Sequence, residues 1–322
     1  MVPGVTKAAI LGGMEHQARV LLAAQGGVVG ASQLSAVGAS AHDVHRWVAR
    51  GDLVRVRRGA FVDGHLWATV NADARYRLTV KAVMRARAGS HLEEAASHHS
   101  ALALHGLPLW RVDRRLVVIS GDVQQSTTAA GLRLMPLRSL VAKVQVEGVV
   151  SLAEADAVVT SASVSEEAGV VAADAAVHRG TTTMDELEEA RQRLLPGLRG
   201  KARLRRAMAA VDPRAESPGE TRTRLLLTAF GMPVESQVVV RDEVGELIGR
   251  VDFLVGGRVV VEFDGAVKYG GAAGREALVA EKRREDRLRS QGYEVVRLTW
   301  DDLAQPAKVM ARVRAALLRH AA

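Results

Sequence analysis

Between Arg250 and Asp264 the chain reads RVDFLVGGRVVVEFD, two runs rich in β-branched and aromatic residues around a Gly-Gly pair. Such runs form strands, and the glycines mark a tight turn between them. The register is then decided by burial. A two-residue loop sets Asp252 opposite Val261 and mixes polar with apolar side chains on both faces. A three-residue loop pairs Leu254 with Val260, Asp252 with Glu262 and Arg250 with Asp264, and leaves Val251, Phe253, Val255, Val259, Val261 and Phe263 on one apolar face. The second register wins, because a slip of one residue turns every side chain to the other face. Two carboxylates then stand side by side on neighbouring strands, which destabilises the pair unless something neutralises them. Protonation of one carboxyl would do so. A divalent cation would do it better, and an oxygen-only ligand set suits Mg²⁺ or Mn²⁺.

The flanking sequence extends the hairpin into a domain. Ser217-Pro218-Gly219-Glu220 opens a helix, with Pro at its first position and Glu at its third, and Gly231 closes it. Strands are expected at 235–241, 248–255 and 258–264, a long charged helix at 275–291, a fourth strand at 293–299 and a last helix at 301–320. The order is αβββαβα. Glu220 adds a third acid at the start of the first helix, where a capping role alone would explain it. Gln237 lies on the first strand. Arg250 is placed to neutralise Asp264 as a cross-strand pair, and residues 281–287 read equally well as a solvated helix face. A cation held by Asp252 and Glu262 would activate water and stabilise charge developing on a phosphodiester.

The N-terminal 64 residues read as three short helices and a hairpin. Met14, Ala18, Leu21 and Leu22 recur at helical spacing before Gly26-Gly27. A second helix covers about 32–37. Ser40 and Asp43 form a capping-box pattern for a third, in which Val44, Trp47 and Val48 share one face and His42, His45, Arg46 and Ala49 the other. Gly51 ends it, and two short strands turn at Arg58-Gly59. This is the order of a winged helix-turn-helix. On that reading His42, His45 and Arg46 face base edges, while Arg50, Arg55, Arg57 and Arg58 neutralise phosphates. A small helical subdomain for protein contact is the competing use.

Residues 65–212 are rich in Ala, Val and Leu. Helices are expected at 70–88, 93–105, 152–178 and 183–194, the last opened by Thr183 and Glu186, and short strands near 115–120 and 131–135. His98, His99 and His105 crowd one segment, but no neighbouring spacing matches a zinc pattern, so a structural or surface role is expected. Pro196-Gly197, the basic run 199–206 and Asp212-Pro213 read as a linker, which divides the chain into domains 1–64, 65–212 and 213–322.

Charge supports this organisation. The net charge is +8, and residues 1–90 hold 12 Lys and Arg against 5 Asp and Glu, whereas residues 91–212 hold 14 against 15. A basic excess at one end points to a polyanion such as nucleic acid. The chain has no cysteine, so disulfides, thiolate zinc sites and cysteine nucleophiles are excluded. No apolar run reaches membrane-spanning length and no secretory core is seen, so a cytoplasmic protein without membrane contact is expected.

Two resemblances add to this reading. The run VVGASQLSAVGASAHDVHRWVARGDLVRVRRGAFV, residues 28–62, resembles the N-terminal domain of AbiEi-type antitoxins of bacterial abortive-infection, type IV toxin–antitoxin systems. The segment around the three histidines is similar to the region that follows in those proteins. The resemblance implies promoter DNA binding, a cognate toxin as partner and a role in phage defence. Residues 213–322 resemble the PD-(D/E)XK nuclease superfamily, and within it the very-short-patch-repair-like endonucleases, on Glu220, Asp252 and VVEFDG (260–265), with the charged run 281–288 feeding the last strand. That implies a restriction-endonuclease-like αβββαβ fold and a Mg²⁺- or Mn²⁺-dependent endonuclease with Glu220, Asp252 and Glu262 as catalytic acids. The superfamily's lysine, two residues after the Glu, is Asp264 here. Lys268 or Lys282 would then supply the positive charge, and Asp264 would join Asp252 and Glu262 as a metal ligand. The expected whole is an α+β multidomain protein: a winged helix, a mixed α/β middle region and an endonuclease-like domain. The same departure supports the alternative, a non-catalytic AbiEi-like antitoxin or transcriptional repressor that keeps the nuclease fold for binding. A protein-interaction scaffold is a third option.

Overall fold

A computed structural model describes residues 7–89, 93–136, 140–265 and 271–319, with side chains for all of these except 7–15 and 271–278. The protein is a mixed α+β chain with three sheets, and it divides into two compact units, residues 1–172 with 181–206 and residues 173–180 with 207–322.

The first unit begins with α1 (Lys7–Ala24), β1 (Val28–Gly30), α2 (Ala31–Ala36), α3 (Ala41–Arg50), β2 (Leu53–Arg57) and β3 (Ala60–Asp63). The strands form a three-stranded sheet in the order β1-β3-β2, antiparallel throughout. β1 is an addition to the three helices and hairpin expected. Val28 and Val29 are fully buried against Val62 and Phe61, so a three-residue strand is held by its neighbours rather than by its own propensity. Ala18, Leu22, Leu34, Val44, Trp47, Leu53 and Phe61 form the core beneath, which fixes the roll of α3 about its axis.

The chain continues through α4 (Gly64–Thr69), α5 (Ala72–Arg87), β4 (Ala95–Ala96), α6 (His98–Leu104), β5 (Val117–Gly121), β6 (Thr127–Ala129), β7 (Leu132–Pro136), β8 (Lys143–Val146), β9 (Val149–Leu152), α7 (Glu154–Val164), α8 (Glu166–His178), α9 (Met184–Leu194) and α10 (Lys201–Ala209), the last two flanking a 3₁₀ turn at Leu195–Gly197. Six strands form one sheet in the order β6-β7-β5-β4-β9-β8, with β5/β7 and β4/β9 parallel. The helix expected over 152–178 is two helices, because Ser165 adopts an extended conformation and its hydroxyl accepts the Ala168 amide at 3.3 Å. The expected helix over 93–105 yields its start to β4. The basic run read as linker is largely α10. The histidines are used internally: His99 Nε2 lies 3.2 Å from the Leu116 carbonyl oxygen and His105 Nε2 2.8 Å from that of Leu152.

The second unit contains α11 (Pro218–Ala229), β10 (Val234–Arg241), β11 (Leu247–Val255), β12 (Val259–Phe263), α12 (Gly271–Ser290), β13 (Glu294–Leu298), α13 (Trp300–Leu303) and α14 (Pro306–Arg319). The element order is the expected one, save that the last helix breaks at Pro306, which cannot donate to the preceding turn. The sheet runs β10-β11-β12-β13, antiparallel except for the parallel β12/β13 pair. The hairpin has the three-residue loop: Val255 faces Val259, Leu254 faces Val260, and Gly256 and Gly257 take left-handed φ of 59° and 71°. Phe253, Val255, Val259 and Val261 pack with Leu227, Val309 and Val313 on one side of the sheet. Val251 departs from that set and is buried with Val240, Ile248, Leu254, Val260 and Leu288 on the α12 side. Both faces are therefore covered, and the acids of the hairpin lie beside a helix rather than open to solvent.

Candidate nucleic-acid interface and carboxylate site

The start of α3 is built by a reciprocal cap. The Ser40 hydroxyl accepts the Asp43 amide at 3.2 Å, and Asp43 Oδ2 accepts the Ser40 amide at 3.0 Å. Hydrogen bonds from Ser40, aided by Arg46, hold the Asp43 carboxyl below the usual carboxylate range. Val44 and Trp47 face the core, and His42, His45 and Ala49 stand exposed on the far side. Arg46 lies at the edge of that face, with Nη2 2.8 Å from Asp43 Oδ1. Arg50 pairs with Asp52 at 2.6 Å.

The wing arginines divide. Arg55 is exposed and stacks over the Phe61 ring at 5.5 Å, and Arg58 is exposed at the tip of the turn. Arg57 turns the other way. It donates to the carbonyls of Val56 and Arg115, and it lies so close to Gly131 that a Cβ there would meet its Nε at 2.6 Å. The bulge between Arg55 and Arg57 rotates the Arg57 side chain out of the alternation, so that it meets the middle region and not the face shared by Arg55 and Arg58.

In the second unit the register lines up one polar residue on each strand. Gln237 lies between the pairs Ser236–Phe253 and Val238–Val251, which sets it level with Asp252. Continuing the β11/β12 register sets Asp252 level with Glu262, and Glu262 pairs with Arg297 on β13. Glu220 joins the row from α11. Its Oε2 accepts from Gln237 Nε2 at 2.8 Å and from the Glu216 amide at 2.9 Å, and its Oε1 accepts from the Ser217 hydroxyl at 2.7 Å. The capping role read for Glu220 is present, and it adds to the contact with Gln237 without replacing it. Gln237 has a left-handed φ of 55°, a strained conformation for a side-chain-bearing residue inside a strand. Gly219 is required beside it, since a Cβ there would lie 1.9 Å from the Phe263 ring.

Asp252 accepts the Phe263 amide at 2.8 Å through Oδ2. Burial, with the neighbouring charges of Glu220 and Glu262, raises its pKa to about 6 against the opposing pull of that hydrogen bond and of Arg284. Glu262 is held by α12: Arg284 Nη2 lies 2.6 Å from Glu262 Oε1 and 2.8 Å from Glu281 Oε1. Arg297 adds contacts to Glu281, to Glu285 at 3.1 Å and to Glu262 at 3.8 Å. Glu281, Arg284, Glu285 and Leu288 follow helical spacing and form the sheet-facing side of α12.

The expected catalytic groups are thus distributed unevenly. Glu220, Asp252 and Glu262 converge. Lys282 is exposed, away from the sheet-facing side of α12, and Arg284 is the α12 cation that reaches Glu262. Lys268 lies outside the described residues. Arg250 pairs with Glu216 at 2.6 Å instead of with Asp264, whose amide donates to the Leu298 carbonyl. Internal donors already engage each of Glu220, Asp252 and Glu262, and among the described residues no three His, Asp or Glu side chains are grouped to hold an ion. Gln237 stands out from sequence only as a lone polar residue on the first strand, and Arg284 and Arg297 carry no site role there. The i, i+3, i+4, i+7 pattern of α12 was the signal that marks Arg284.

The N-terminal elements follow the order of a winged helix-turn-helix, with α3 capped at Ser40 and exposed along its His42–His45–Ala49 face. Residues 17–62 match the family model described as "Transcriptional regulator, AbiEi antitoxin", a span from α1 to β3. No curated protein matches the chain. Among the described residues no helix is long and apolar enough to cross a membrane.

Proposed function

We propose that the protein is a DNA-binding transcriptional regulator of the AbiEi antitoxin kind. The observation that carries this reading is the exposed His42–His45–Ala49 face of α3, set beside the outward arginines Arg55 and Arg58 in a segment with a strong basic excess. A helix about 10–12 Å across fits a major groove about 12 Å wide. His42, His45 and Arg46 then meet base edges, and Arg50, Arg55 and Arg58 meet phosphates. A cognate toxin is the protein partner this reading implies.

The C-terminal domain acts in binding. Its acids resemble a nuclease site, and the half-buried Asp252 beside Glu220 and Glu262 favours a second reading as a PD-(D/E)XK-type endonuclease. Against it, Arg284 already neutralises Glu262, and Asp264 stands at the lysine position. Supercoiled plasmid incubated with the protein and Mg²⁺ or Mn²⁺ separates the two, run beside Asp252→Ala. The regulator reading expects salt-sensitive binding of the protein's own promoter and an intact plasmid. Cleavage that disappears in the variant would establish the second.

A further inference from the structure

The first unit contains a cavity of about 690 Å³ that neither reading uses. It opens between β7, the turn after β5, the C-terminal end of α7 and the start of α10. Three guanidinium groups line it, Arg133, Arg199 and Arg203, and among the described residues no carboxylate does. Among the described residues the guanidiniums of Arg133 and Arg199 have no hydrogen-bond or ion-pair partner. Arg203 is aimed by Nη1, which donates to the carbonyls of Ser163 and Val164 at 3.0 and 2.7 Å, and among the described residues its Nε and Nη2 have no partner. Three like charges around one space repel each other, an arrangement that a polyanion relieves.

The rest of the lining suits a ligand with a polar end and an apolar body. Ser120, Ser163 and Gln125 supply hydroxyl and amide groups, and Met135, Leu152 and Leu198 supply apolar surface. His98 forms part of the wall. It is buried, its ring is kept neutral by burial and by the nearby Arg133, and its φ is 51°, strain of a kind that collects at ligand sites. A second cavity of about 230 Å³ shares His98, Arg133 and Met135 with the first. Its wall includes Ser161, whose buried hydroxyl has no partner among the described residues.

We infer that this cavity is a binding site for a nucleoside phosphate. The volume falls in the range of small-molecule sites, and forked guanidiniums match phosphoryl oxygens in geometry and charge. A singly charged carboxylate would leave two of the three cations unanswered. The site is also placed to reach the DNA-binding face. Arg133 and Met135 lie on β7, and Gly131, immediately before that strand, carries the guanidinium of Arg57 from the wing. A ligand that shifts β7 therefore moves the support of the wing. This second step rests on the regulator reading, and the binding site itself does not.

Isothermal titration calorimetry of the full chain with AMP, GMP, ATP and GTP tests the site. The expected result is saturable binding of at least one, weakened about tenfold or more by Arg133→Ala and by Arg199→Ala and unchanged by Arg205→Ala on the outer side of α10. Both lining arginines are exposed and unpaired, and unchanged melting temperatures would show that the variants fold. Absence of saturable binding overturns the inference. So does binding that both lining variants leave intact, or retention of duplex DNA alone at these arginines. Promoter binding with and without the nucleotide is read separately. A nucleotide that binds but leaves the DNA isotherm unmoved overturns the β7 link. A chain that binds nucleotide but no DNA refutes the regulator reading and leaves the ligand site standing.

Discussion

Replacing Asp252 by Asn removes a carboxyl whose pKa the fold raises from 3.8 to about 6. Because the folded form binds the proton more tightly than the unfolded chain, the group stabilises the fold most below the unfolded pKa. That contribution declines as pH rises through the folded value and is gone above it. A shift of this size corresponds to about 3 kcal/mol lost between acid and neutral pH, and partial exposure reduces it to about 1–3 kcal/mol. Asn keeps an oxygen for the Phe263 amide and offers an NH₂ group to the neighbouring carboxylates. Differential scanning calorimetry of the full chain at about pH 8 should therefore find Asp252→Asn more stable than wild type by about 1–3 kcal/mol, with the gap nearly closed at about pH 4. Equal stability at the higher pH, or a gap that persists in acid, would refute the reasoning that burial and two neighbouring acids load Asp252.

Arg284→Ala strips Glu262 of its shortest ion pair and should cost about 1–3 kcal/mol of stability. It should also create a response to Mn²⁺, raising the melting temperature of the variant alone; an equal rise in wild type would show that Arg284 does not stand in for a cation. Ser40→Ala removes the cap of α3 and should cost about 1 kcal/mol by thermal unfolding, with Ser40→Asp restoring most of it. A wild-type melting temperature in Ser40→Ala would count against the cap. Gly219→Ala separates propensity from packing. Helix propensity alone predicts a gain of about 1 kcal/mol, whereas the clash with Phe263 predicts a loss of about 1–3 kcal/mol in the same melt.

The C-terminal hairpin was legible because its constraint is local and two-fold: Phe253, Val255, Val259 and Val261 share a face under a single register, and the acids follow. The winged helix was legible through Ser40, Trp47 and Gly51, which bound α3 and orient it. Other features depend on distant partners. β1 is three residues long and exists because Val62 and Phe61 pair with it. The six-stranded sheet joins β4 to β9 across more than fifty residues, and nothing within Ala95–Ala96 announces a strand. Arg57 reads as one more wing arginine until the bulge beside it turns the side chain onto Arg115 and Gly131. Arg284 was hidden for a related reason. In a run of seven charged residues, only the helical phase set by Leu288 tells which cation meets the sheet.

Fluorescence anisotropy of a labelled promoter duplex, titrated with the full chain over a range of salt concentrations, tests the regulator reading most directly. Each phosphate contact contributes about 0.9 to the slope of log affinity against log salt. Arg55→Ala and Arg58→Ala should each lower the slope by about that amount, while Arg57→Ala should leave it unchanged. No saturable binding at low salt, or a slope that falls for Arg57→Ala and not for its two neighbours, would contradict the account.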